Sequence, residues 1–399
     1  MNNPIESSTR WASVLVLFLA GIGAALQFAK VPPALTAVSQ ALSLGPVEAG
    51  FAVSVVGMVG VVLGIAVGSL VAAAGPRRAL VVALAFAALF ALLGSMSPND
   101  ILFMMSRVLE GVAHLVIVVA APGLMITSTT SRDRPIAMAL WSCFFSVGFS
   151  FASATAPMLL ALIGWRGFFV GHAMLMLGLS LLALVFVVPD RDRPKMVGVG
   201  TVLSTHLAVY RSGPPMILAL VFCCYTILFL AILTYLNKHL ISVDGFTPAT
   251  SGTIMALLAL ANPVVSLATG PIVRSGFDPI RGFIVSFILV IVGATPIFLG
   301  FTAPVGTIAC ALIMMAALGA LPGLAFTMLP KVAPTSALAA KATGAIAQFG
   351  NVGTFSGPPL FAMLLATIGW VGGAIFVIVA SLAGIGLAVL LRRVMLNPT

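Results

Sequence analysis

The chain has 399 residues, of which 61% are hydrophobic and only 7% charged, and its mean hydropathy is +1.22. Soluble domains carry about 25% charged residues, so a water-soluble fold is excluded. The net charge of +10 is spread singly or in pairs between apolar runs, with no dense basic block, which argues for membrane topology and against a nucleic-acid partner.

About 20 apolar residues cross the ~30 Å of hydrocarbon in a bilayer. Twelve such runs follow one another, in 11–35, 47–72, 79–97, 100–129, 136–163, 167–188, 214–238, 248–273, 282–302, 304–329, 342–367 and 370–391. The first reads as a span rather than a cleaved signal, because only Arg10 charges its leading edge and its apolar run is too long. Cys143, Cys223, Cys224 and Cys310 all fall inside apolar runs, so packing is their expected role.

The fourth run is the most informative. Arg107, Glu110 and His114 lie three and four residues apart, on one stripe of a helix. An ionisable group at the bilayer centre costs about 2.5–3.5 kcal/mol on insertion scales, so such groups face protein or a watery cavity. Arg107 and Glu110 either neutralise one another as a structural pair or take part in transport. His114 is either a hydrogen-bonded interior residue or part of the same site.

The loops set an orientation. With the N-terminus inside, 15 of the 19 Lys and Arg fall on the cytoplasmic side, while Arg166 and Lys238 fall outside. The positive-inside rule then predicts both termini in the cytoplasm of a multi-pass protein of a cell membrane, a bacterial inner membrane.

The longest hydrophilic segment, 189–213, divides the chain into a six-span half, 1–188, and a second six-span half, 214–399. The halves repeat one another. Ala121-Pro122-Gly123-Leu124 is echoed by Leu321-Pro322-Gly323-Leu324 at an offset of 200. Gly148 is echoed by Gly353, and Gly164-Trp165 by Gly369-Trp370, at an offset of 205. The expected fold is thus an all-α integral membrane protein of twelve helices, in two halves related by a pseudo-two-fold axis. The offset of 200 sends Arg107, Glu110 and His114 to Thr307, Cys310 and Met314, so the ionisable chemistry belongs to the first half alone.

These marks together resemble the major facilitator superfamily of secondary transporters. Its fourth-helix motif is matched by Arg107, Glu110 and Gly111. Its loop between the second and third helices is half matched by Gly68, Gly75, Arg77 and Arg78, with Ala72 and Ala73 replacing an acid and an Arg. The resemblance implies that this loop helps to set conformation. The fifth-helix antiporter motif survives only as Gly148 and Pro157, with Ala156 where a glycine belongs, which weakens the case for an exporter.

Pro32-Pro33, Pro122, Pro157, Asn262-Pro263, Pro322 and Pro358-Pro359 are helix breaks that transporters tolerate where freed carbonyls face protein or a cavity. Such breaks suit parallel halves around a midplane site. Candidate substrate-binding residues are Gln27, Lys30, Arg107, Asn262, Gln348 and Asn351. Interhelical hydrogen bonding is the alternative for the three amides of the second half. Lys30, 19 residues past Trp11 and therefore ~28 Å along a helix, is equally suited to snorkelling toward headgroups. His172 and the phenylalanines read as packing.

No nucleotide-binding loop, His-Glu-x-x-His motif or paired acids occur, and the charge is on one half rather than in a ring. A transporter is therefore expected, not an enzyme or a channel, with no cofactor. Glu110 and His114 make protons the expected coupling ion. The expected partners are a small-molecule substrate, protons and the lipid bilayer, with the protein a monomer. Two cations facing one acid favour symport of a small organic anion. Export of a lipophilic drug past apolar walls is the competing reading.

Overall fold

The structure is a computed structural model that describes residues 8–64, 67–130, 132–189, 213–333 and 336–396. The hydrophilic segment predicted at 189–213 lies outside these, apart from its two end residues.

The first half begins with α1 (Trp11–Ala29) and α2 (Val31–Leu42). Together they form one pass that runs seven residues beyond the expected end at 35. Pro32 and Pro33 do not stop it, because they fall in the first turn of α2, where a missing N–H costs nothing. The chain reverses at Ser43, which is left-handed at φ 54°.

The second pass is segmented into α3 (Pro46–Ser54), a short 3-10 turn (Val55–Gly57), α4 (Met58–Leu63) and α5 (Val67–Ala74), which carries Gly68. Gly75, at φ 92°, then turns the chain into α6 (Pro76–Ser95). The Arg77 guanidinium at the start of α6 donates to the Leu184 carbonyl, which ties this turn to the end of the sixth pass. The fourth pass is α7 (Asp100–Thr127), whose start is capped by the Asn99 side chain accepting from Leu102 N at 3.0 Å.

After α8 (Arg134–Ser142), α9 (Phe144–Phe186) contains two passes. Gly164 interrupts it at φ 64°, ψ 177°. Phe151 and Leu175 line one cavity, although a straight helix would hold them ~36 Å apart. The two arms, 144–163 and 165–186, therefore fold back on each other. Arg166 Nη1 holds the bend by donating to the carbonyls of Ser95 at 2.6 Å and Ser97 at 3.1 Å, with its guanidinium over the Trp165 ring.

The second half follows the same plan with α10 (Gly213–Ser242), α11 (Pro248–Arg274), α12 (Pro279–Phe298), α13 (Pro304–Val332), α14 (Ser336–Ile368) and α15 (Trp370–Leu396). Ten helical stretches among the described residues are long and apolar enough to cross a membrane. The stretch 144–186 counts twice once bent, and α14, with its many small and polar residues, completes the twelve. Side chains such as Val82, Met174, Val185 and Val264 are two-thirds or more exposed or close to it, as lipid-facing positions are in a membrane protein.

The sequence repeat reappears in three dimensions. Gly369, at φ 66°, bends the chain before Trp370 as Gly164 does before Trp165. Gly148 brings the fifth pass against Ala25 of the first, and Gly353 brings the eleventh against Cys223 and Thr226 of the seventh.

The halves meet along two seams. Gly50, Gly57, Gly60 and Gly64 of the second pass lie against Pro358-Pro359, Thr354, Asn351 and Gln348 of α14. These are small residues where two backbones approach closely. Across the other seam, Gly252 of α11 rests on Ser153 and Pro157, while Ser150 Oγ donates to the Ala256 carbonyl at 2.9 Å. Both seams start at the membrane face that carries the Gly164 and Ser43 turns.

Candidate functional site

α7 places Arg107, Glu110 and His114 on the stripe that faces the first two passes. Gly111 permits this, because a Cβ there would run into the Val56 carbonyl. Arg107 is fully buried, and its guanidinium uses all three of its nitrogens. Nε donates to the Ala52 carbonyl at 3.2 Å, Nη2 to the Gln27 carbonyl and Nη1 to Glu110 Oε2. One side chain thereby joins the first, second and fourth passes.

Glu110 is equally buried and accepts on both oxygens, since Lys30 Nζ donates to Oε1 at 2.7 Å. Lys30 is 1% exposed, so the snorkelling expectation is wrong. The helix continues through α2 for twelve residues beyond it, and the ammonium turns inward to Glu110 and to the face of the Phe169 ring, 4.5 Å from its centroid. His114 Nδ1 lies 3.0 Å from the Ala24 carbonyl, and its ring stands edge-on to Phe28. The Gln27 side chain is fully buried with neither amide atom hydrogen-bonded.

The candidates of the second half have different partners. Asn262 Oδ1 accepts from Ser146 Oγ at 3.2 Å, and Gln348 Nε2 donates to the Val61 carbonyl at 2.7 Å. Asn351 Nδ2 donates back to its own helix at Ala347 and packs on Gly60. These three belong to the seams between the halves, and these bonds do not involve Lys30, Glu110 or Arg107. Of the loop residues, Gly75 and Arg77 act at the turn before α6, Arg78 follows them in its first turn, and Gly68 lies on α5. His172, read from sequence as packing, has a setting that this reading did not indicate. It is 6% exposed with neither ring nitrogen bonded, and it lines a cavity with Lys30. A histidine inside an apolar run was the available signal.

Two six-helix halves, broken passes and a buried ionic cluster define a polytopic carrier protein. The chain belongs to the Major Facilitator Superfamily, whose family profile matches residues 15–356. It is thus a multi-pass membrane transporter and not an enzyme. No curated protein matches the sequence. Among solved structures, a bacterial homologue of the human lysosomal transporter Spinster, inward-facing and unoccupied, matches with a TM-score of 0.77 at 13% identity over 100% of both chains. The inward-facing, occupied form of such a homologue matches with a TM-score of 0.75, again at 13% identity and 100% of both chains. At that identity the likeness concerns the fold alone.

Proposed function

We propose that this protein is a secondary active transporter that couples the uptake of a small organic anion to protons by alternating access between its two halves. The observation that carries this reading is the buried cluster in which Lys30 and Arg107 share the one carboxylate of Glu110. Two cations and one anion leave a single positive charge in surroundings where unpaired charge is costly. Protonation of Glu110 releases both cations, and an anionic substrate satisfies them. A proton and an anion then enter together, and each makes the other's burial less costly.

Arg107 has a second duty, because it holds the first and second passes to the fourth through backbone carbonyls. A change in its partner at Glu110 is felt by a helix of the seam with α14. The segment 189–213 and both termini are cytoplasmic in this proposal, so both seams close the outer face. This arrangement agrees with the inward-facing form of the Spinster homologue.

The test is transport by purified protein in liposomes. Glu110→Gln should abolish accumulation driven by a proton gradient while leaving exchange of substrate for substrate measurable. Accumulation at the parent level would return Glu110 to a purely structural role.

A further inference from the structure

A cavity of about 280 Å³ lies among the first pass and the two arms of α9. It stands apart from the seams. On the fifth pass, Ser146, Ser150, Ser153 and Pro157 point to α11. Their spacing of four, three and four marks one face of a helix. The cavity-lining residues Ala152, Thr155 and Leu159 are spaced three and four and fall on the opposite face. The cavity therefore opens away from the second half, toward lipid. Its rim is apolar and exposed: Phe151 is 53% exposed, Ile163 52% and Leu175 40%.

The inner end is different. His172 is buried there with both ring nitrogens unbonded, and Lys30 lines the same space. Buried polar atoms normally have partners, and each one without calls for an explanation. An imidazole always keeps one N–H to donate, and an ammonium has three, of which Lys30 gives one to Glu110. The cavity thus presents donors at its floor and hydrocarbon at its mouth. Its nearest acid, Glu110, is already held by two cations.

We propose that this cavity binds a single-tailed amphiphilic carboxylate, of the fatty-acid class, taken up from the membrane. Its carboxylate accepts from His172 and Lys30, and its tail leaves between Phe151 and Leu175. The excess positive charge of the Lys30 cluster selects an anion over a neutral lipid, and the volume, near the lower end of the ~300–1,000 Å³ of ligand sites, admits one narrow chain. The site is lateral to the route between the halves, and it stands whether or not Glu110 carries a transported proton.

The test uses the full-length protein in phosphatidylcholine nanodiscs and dodecanoic acid carrying a photoreactive diazirine in its tail, with crosslinks mapped by peptide mass spectrometry. Labelling should concentrate within 151–175. Unlabelled dodecanoate should displace it at a concentration about tenfold or more below that of methyl dodecanoate, the worth of one hydrogen bond to a charged group. His172→Phe should reduce that preference, with Lys30 left as the remaining donor. Leu159→Trp, which fills the cavity, should suppress labelling, and Thr155→Phe serves as a second plug if the first does not fold. Equal displacement by acid and ester in the parent would overturn the proposal. So would undiminished labelling in a folded plugged variant, or labelling spread over all lipid-facing helices. The readout involves no transport, so its failure is distinct from a failure of proton coupling.

Discussion

Glu110→Gln examines the ionic cluster by charge arithmetic. Lys30, Arg107 and Glu110 are at most 1% exposed, and together they carry two positive charges and one negative. The substitution removes the shared acceptor and leaves both cations buried without a counter-ion. Breaking a buried pair by removing one partner costs about 3–5 kcal/mol, and with two cations stranded the upper part of that range is expected. Lys30→Met leaves the cluster neutral with the Arg107–Glu110 pair intact. It loses one hydrogen bond to a charged group, about 1.5–3 kcal/mol, and also relieves the burial of an ammonium, so its net cost should be about 2 kcal/mol or less. Combining the two leaves Arg107 as the single charge, and the double variant should be more stable than the sum of the single losses by about 1 kcal/mol or more. Equilibrium unfolding of the purified variants in mixed micelles measures all three. If Glu110→Gln unfolds no more readily than Lys30→Met, Glu110 is not the shared anion and the charge argument fails.

Other consequences are checked separately. A cysteine placed near Arg193 should resist an impermeant thiol reagent in intact cells, and ready labelling would reverse the proposed orientation. Gly60→Cys with Asn351→Cys should form a crosslink between the halves, since a Cβ at Gly60 meets the Asn351 side chain. It should arrest transport until reduced, and transport at the parent rate in the crosslinked protein would show that this seam does not open. Gly111→Val should cost about 1–3 kcal/mol by overpacking against the Val56 carbonyl. An unfolding midpoint equal to the parent's would mean that the second and fourth passes separate without strain.

The twelve passes were legible because each needs its own apolar run, and hydropathy is a local property. The two-half repeat was legible because paired glycines, such as Gly164 and Gly369, perform the same bend in each half. The first pass runs past its expected end at 35 because Thr36, Ser39 and Gln40 lower the local hydropathy without ending the helix, which continues to Leu42. Arg107 and Glu110 stood out as a pair because three residues separate them on one helix. Lys30 was counted with them only as a second cation facing Glu110, since the two are 80 positions apart in the chain and nothing local specifies their direct contact. The same limit hid the setting of His172, whose surroundings come from the first pass and both arms of α9.

The bend at Gly164 is made by one residue with no loop around it. Such a joint has no slack: a tilt of the arm that carries the Ser146–Pro157 seam must either be matched by its twin or change the angle between them. Arg166, clamped to Ser95 and Ser97, anchors the twin to the third pass. On the proposed rocking of the halves, a tilt of the seam-bearing arm that its twin does not share would change the gap between Phe151 and Leu175, so a crevice on the lipid side would report on the separation of the two halves.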